Sequence, residues 1–194
     1  MHIALFGGAF DPPHNGHKLV ASTLIEKNIV DQVWFVPVFE HPWAKQLGKT
    51  FMSDYSHRLH MIKLLCTSDA LQTKEYRGVS YTFDTLEYFS QKYPMHHFSW
   101  VMGSEYLPKF DAFLSMHPGL AEYRIYMYPR AGHAMKGLRK NMVGLHDVGE
   151  IDVSSTQVRN LASKGESISN MVPSAIEAYI TKHALYATTA QPKV

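Results

Sequence analysis

A single cysteine, Cys66, stands in this 194-residue chain, so no intrachain disulfide can hold it together. That is the usage expected of a protein kept in a reducing compartment, and a cytoplasmic location is expected. Cys66 falls among Ile62, Leu64 and Leu65, where a thiol is expected to act as a small buried hydrophobe. Long apolar runs are missing too: nothing approaches the ~20 residues of a membrane-spanning helix. Apolar residues begin almost at the N-terminus, so no signal peptide is expected. Charge of one sign is also scarce. Nineteen Lys and Arg face 17 Asp and Glu, for a formal net charge of +2. The richest basic stretch, residues 136–140, holds only three such side chains and reads as a solvated loop. Nucleic acid is therefore not an expected partner, and neither is a membrane. Internal repeats and low-complexity segments are absent.

What is present is the material of a globular fold. Hydrophobic residues make up 45% of the chain and charged ones 19%, enough apolar surface for a sizeable core. Continuous apolar runs at residues 2–6, 32–36, 98–102 and 124–128 read as strands buried on both faces, with a weaker one near 71–75. Helical periodicity covers residues 16–27, 54–67, 82–92, 107–116, 155–163 and 173–183. Ser154 and Gln157 form a plausible capping box, and Pro173 suits a first helical position. Strand–helix alternation of this kind predicts an α/β fold, an open parallel sheet wound on both faces by helices with right-handed crossovers. A single domain over residues 1–187 is expected, its last portion (about 154–187) helical, followed by a flexible tail at 188–194. Two long connections, 38–53 and 129–141, follow strand ends, where ligands bind in such sheets.

The most telling run is Gly7-Gly8-Ala9-Phe10-Asp11-Pro12-Pro13-His14-Asn15-Gly16-His17, which lies between the first strand and the first helix. Glycines let the backbone turn and approach a ligand closely. A helix start at Gly16 presents unpaired N–H groups and a positive dipole end, both of which favour phosphate. His14 and His17, three residues apart, face one side of that first turn. Downstream, Ser154-Ser155-Thr156 opens another helix with hydroxyl and N–H donors for triphosphate oxygens, and Arg159 follows one turn later as a charge-assisted donor. Each feature alone has a plainer explanation, a packed histidine or a simple cap. Their combination points to nucleotide chemistry.

The first run resembles the HxGH superfamily of nucleotidyltransferases. Its Asp-Pro-Pro-His form is most similar to the bacterial nicotinate (nicotinamide) mononucleotide adenylyltransferases. Asp152 to Arg159 resembles the family's I-S-S-T-x-I-R. Met171 to Tyr186 is similar to its closing V-P-x-x-V-x-x-Y-I-x-x-H-x-L-Y, where Ile176, Tyr179, Ile180 and Leu185 are spaced to pack on the sheet. The resemblance implies a Rossmann-like doubly wound sheet and transfer of an adenylyl group from ATP to a pyridine mononucleotide, as in NAD biosynthesis. It implies His14, His17, Lys45 and Arg159 as the catalytic groups. Gly7, Gly8, Ala9, Phe10, Gly16, Ser154, Ser155 and Thr156 would form the ATP site.

On the acceptor side the likeness loosens. Gly78 to Thr85 is similar to the family's G-x-S-Y-T-x-D-T and implies Tyr81 and Thr82 as acceptor contacts, with Asp84 at the helix N-terminus as an electrostatic alternative. Gly103-Ser104-Glu105 stands where the family has G-x-D. A family tryptophan that stacks on the pyridine is replaced by Phe113, with Phe110 as a rival. The family's P-P-H-K loop is here Pro42-Trp43-Ala44-Lys45, with His41 displaced upstream. Trp43 is implied to cover the ring and Lys45 to neutralise phosphate, with Lys49 as an alternative. Arg130 lies in a loose counterpart of R-P-G. Mg²⁺ is expected, held mainly by ATP phosphates; Asp11 is expected to fix the turn rather than bind metal. The loop 38–53 is expected to close over both nucleotides. Left open are nicotinate or nicotinamide as the acceptor base, a homo-oligomeric state, a phosphopantetheine or cytidylyl relative, a non-catalytic nucleotide sensor, and a metal module built on His14, His17, His96 and His97.

Overall fold

Side chains along the central strands alternate between two cores, as the twofold repeat of a β-strand requires. In β1 (His2–Gly8), Ala4 and Phe6 enter one core while Ile3 and Leu5 enter the other. β2 (Gln32–Pro37) divides Val33 and Phe35 from Trp34 and Val36, and β5 (Arg124–Tyr128) divides Tyr126 and Tyr128 from Ile125 and Met127. Strands buried on both sides explain why these segments read as unbroken apolar runs. The computed structural model describes residues 1–41 and 52–187.

With β3 (Leu71–Thr73), β4 (His97–Gly103) and β6 (Met142–Gly144), these strands form a six-stranded sheet in the order β3-β2-β1-β4-β5-β6. Every pairing is parallel. One face is covered by α1 (Asn15–Glu26), α2 (Tyr55–Leu65), α5 (Ser155–Ser163) and α6 (Ser174–Lys182), through Val20, Leu24, Met61, Ile62, Leu65, Val158, Ile176 and Ile180. The opposite face is covered by α3 (Thr82–Lys92) and α4 (Phe110–Met116), through Leu86, Phe89 and Phe110. Each such side chain, when fully buried, contributes roughly 1.5–3 kcal/mol. The order reverses direction between β1 and β4, and the ends of neighbouring strands that diverge there leave a crevice.

Some boundaries differ from the sequence reading, for identifiable reasons. The helix expected at 107–116 is broken: Ser104–Lys109 forms a 3₁₀ turn, and the α-helix starts only at Phe110. Pro108 lacks an N–H and restrains the residue before it, which favours the tighter turn. β6 is a three-residue edge strand inside a region with no apolar run, so periodicity does not reveal it. Pro173 is the N-cap of α6, and Ser174 is the first helical residue. Cys66 is only partly buried; it caps the end of α2 with its Sγ 3.5 Å from Thr73 Oγ1.

Candidate active site

The turn after β1 is held by contacts from distant parts of the chain. Its left-handed residue is Phe10 (φ 50°), not a glycine. Gly7 and Gly8 are still part of β1, and their role is close approach. A Cβ on Gly7 would collide with the Trp100 indole, and one on Gly16 would lie 2.6 Å from Ile151 Cγ2. Three carbonyls of the turn accept hydrogen bonds from α2 and α5. Arg58 Nη1 donates to Ala9 O at 2.8 Å, Arg159 Nη1 to Asp11 O at 2.7 Å, and Ser155 Oγ to Pro12 O at 2.8 Å. The Asp11 carboxylate accepts from Ser53 N at 3.1 Å and from the Tyr186 hydroxyl at 2.8 Å, with a further short bond from Ser53 Oγ.

His14 is buried and His17 partly so, and their rings stack with centroids 3.7 Å apart. The His14 N–H donates to His17 Nδ1 at 3.1 Å. Phe6 and Phe10 pack edge-on against the His17 ring. Burial, aided by the positive charge of Arg130, lowers the His14 pKa to about 3. Burial, then His14 and Arg130, hold His17 well below the usual imidazole range. Both rings are therefore neutral near pH 7. His14 Nδ1 is buried with no hydrogen-bond partner among the described residues, an unmet polar group next to the helix N-terminus.

At the second motif the expected hydroxyls face protein. Ser154 Oγ accepts from Gln157 N in the capping box expected from the sequence. Ser155 is bonded to Pro12 O, and Thr156 Oγ1 accepts from Arg159 Nη2 at 3.2 Å. What this helix start still offers a phosphate is its first-turn N–H groups, which have no intrahelical partner. Arg159 remains at the ligand face, and both of its bonds go to neutral oxygens.

A cleft of about 360 Å³ opens at the carboxyl ends of β1 and β4, where the sheet order reverses. Gly7, Gly8, Ala9 and Arg159 line it, together with Tyr81, Thr82, Gly103 and Phe113 from the acceptor set. Other predicted residues are placed elsewhere. The Phe10 ring is turned into the core, and Gly16 is buried behind Ile151. Phe110 is fully buried in the second core, so it has no surface to offer a pyridine ring. Glu105 folds back until its carboxylate would clash with any Cβ on Gly103, and it faces Arg130 at 3.9 Å. Arg130 also donates to Val153 O at 3.0 Å, and its charge reaches both histidines; neither it nor Glu105 lines the cleft. Trp43, Lys45 and Lys49 lie outside the described residues.

Other residues of the site were not singled out from sequence. Arg58 is 2% exposed and binds Ala9 O and Ser53 O. Its signal was a charge on the buried stripe Arg58, Met61, Ile62, Leu65 of α2. Trp100, Tyr106 and His117 line the cleft without belonging to a motif. Tyr186 sits in a segment whose spacing predicts packing, yet its phenol reaches the turn.

This combination, a doubly wound parallel sheet with a helix-start histidine pair and a hydroxyl-capped helix carrying Arg159, defines a nucleotidyltransferase architecture. Residues 5–161 match the model of the cytidylyltransferase-like family, and the chain belongs to that family. Its relatives place it among the nicotinate-nucleotide adenylyltransferases. The enzyme of that name from Bacillus subtilis (strain 168) is 31% identical over 195 residues, covering 95% of this chain and 97% of the relative. A Bacillus pumilus (strain SAFR-032) protein named a probable nicotinate-nucleotide adenylyltransferase is 33% identical with the same coverage. The fold is similar to that of Plasmodium falciparum nicotinic acid mononucleotide adenylyltransferase complexed with NaAD, with a TM-score of 0.74 at 17% identity, covering 95% of this chain and 97% of that one.

Proposed function

We propose that this protein joins ATP to nicotinate mononucleotide, forming deamido-NAD and pyrophosphate in NAD biosynthesis. The observation that carries the proposal is one cleft lined by Gly7, Ala9 and Arg159 of the nucleotide motifs and by Tyr81, Thr82 and Phe113 of the acceptor motif. The acceptor's 5′-phosphate oxygen attacks the α-phosphorus; a new P–O bond forms as the α–β bridging bond breaks, and pyrophosphate leaves. The attacking phosphate is already anionic, so no general base is required. The protein's task is to bring anions together and to meet the charge of the transition state with preorganised donors.

His17, bonded through Nδ1, directs Nε2–H at an α-phosphate oxygen, and His14 serves the α/β bridging region. Arg159 neutralises the departing pyrophosphate, with Lys45 as the loop cation. Phe113 stacks on the pyridine ring, with less area than a tryptophan gives. Among the described residues no three His, Cys, Asp or Glu could hold a metal, and the Asp11 carboxylate already accepts from Ser53 and Tyr186. Mg²⁺ would be carried in on ATP phosphates, where it would offset charge between the reacting groups.

The test is incubation of the pure protein with ATP and Mg²⁺ plus one of three acceptors: nicotinate mononucleotide, nicotinamide mononucleotide or phosphopantetheine. Pyrophosphate and deamido-NAD are expected with the first. Product with nicotinamide mononucleotide alone would reassign the base. Turnover with phosphopantetheine alone would overturn the proposal.

A further inference from the structure

Asp11 is buried at the wall of the cleft to which the proposed reading assigns the nucleotides. An uncompensated anion at that position would repel the ligand. Two elements supply its donors, Ser53 just before α2 and Tyr186 beyond the end of α6. The segment after α6 reaches Asp11 through two left-handed residues. After α6, Ala184 (φ 47°) ends the helix in a left-handed cap closed by the bond from Leu185 N to Ile180 O, and Tyr186 (φ 66°) is left-handed beyond any such cap, a conformation that costs non-glycine residues energy. The route packs Leu185 and Tyr186 against the first core and delivers a hydrogen bond of 2.8 Å from the phenol to the carboxylate, across 175 positions of sequence.

We propose that Tyr186 is a positioning residue for the triphosphate turn: its hydroxyl fixes the Asp11 carboxylate, and through it the main chain that Arg159 and the histidines need. The proposal rests on the nucleotide-site reading above. Deprotonating the phenol would set two anions against each other. Burial first, and Asp11 second, accordingly raise the Tyr186 pKa far above the phenol range, so the group remains a donor throughout the working range of pH. Arg159 binds the carbonyl of the same Asp11, so any tilt of that residue also shifts the cation at the cleft.

Tyr186→Phe removes one oxygen and keeps the ring. The expected result is about a tenfold loss in MgATP affinity by calorimetry, the scale of one hydrogen bond to a charged group. A matching fall in kcat, an unchanged KM for the pyridine nucleotide and a lowered melting temperature are also expected, the last because a buried carboxylate loses one donor. In an Asp11→Ala background, which leaves no side-chain oxygen to accept from the phenol, the same change should have little further effect, because Tyr186 acts through that carboxylate. Wild-type MgATP affinity in Tyr186→Phe would overturn the proposal, and so would additive losses in the double variant. A protein that binds MgATP but turns over no pyridine nucleotide would sink the acceptor assignment and leave this one standing, since the calorimetric arm needs no acceptor.

Discussion

His17 Nδ1 accepts the backbone N–H of His14 at 3.1 Å, and this bond fixes the proton of the neutral ring on Nε2. The helix thus delivers a preset donor, with no rotamer or tautomer left to choose. Removing one preorganised donor of this kind typically costs on the order of 10²–10³ in rate. His17→Ala is expected to lose at least that much in kcat while MgATP affinity weakens less. Steady-state kinetics beside calorimetry checks this; an unchanged turnover would remove His17 from the mechanism.

Holding two imidazoles neutral links stability to pH. Unfolded, each takes up a proton near pH 6.5; folded, His14 resists down to about 3. Between those values the unfolded chain binds more protons, so the fold weakens as pH falls, by up to about 1.4 kcal/mol per pH unit for each histidine. Urea midpoints should drop steadily from pH 7 to pH 4, and His14→Gln should flatten the slope. A slope that His14→Gln leaves unaltered would contradict the assignment.

Gly7 makes room for an indole. Because a Cβ there would run into Trp100, Gly7→Ala is expected to lose about 1–3 kcal/mol through overpacking. Trp100→Phe placed in the same chain should recover part of that loss in melting temperature. Recovery would be missing if the glycine served the turn rather than the ring.

Arg58 fastens the turn from behind, with bonds to Ala9 O and Ser53 O. Arg58→Met keeps the buried stem and deletes both donors. Its expected cost is roughly 2–4 kcal/mol, since two acceptors are left unmet in a buried site. Chemical denaturation measures it, and a loss below about 1 kcal/mol, the net worth of one ordinary hydrogen bond, would show that water replaces the guanidinium.

The sheet was legible because burial on both faces writes strands as unbroken apolar words, as in Val33-Trp34-Phe35-Val36. The two motifs were legible because their glycines, histidines and hydroxyls stand together in sequence. What each residue does there was less so. Sequence assigns Ser155 and Thr156 to phosphate, but a hydroxyl bonds whatever the fold brings near it, here Pro12 O and the Arg159 guanidinium. Phe110 and Phe113 are equivalent by composition, and only the 3₁₀ turn ahead of α4 sends one into the core and the other to the cleft. Arg130 pairs with Glu105 beside the histidines, a contact between the segment after β5 and the 3₁₀ turn after β4 that no spacing rule contains. Tyr186 was the least visible, because its position depends on two left-handed residues that are not glycine.

The bond from Ser155 to Pro12 spans 143 positions, and the one from Tyr186 to Asp11 spans 175. The turn ahead of α1 is thus secured only by segments that follow it at long range. A chain that has formed β1 and α1 has no finished grip on nucleotide until α5 and the segment after α6 are in place.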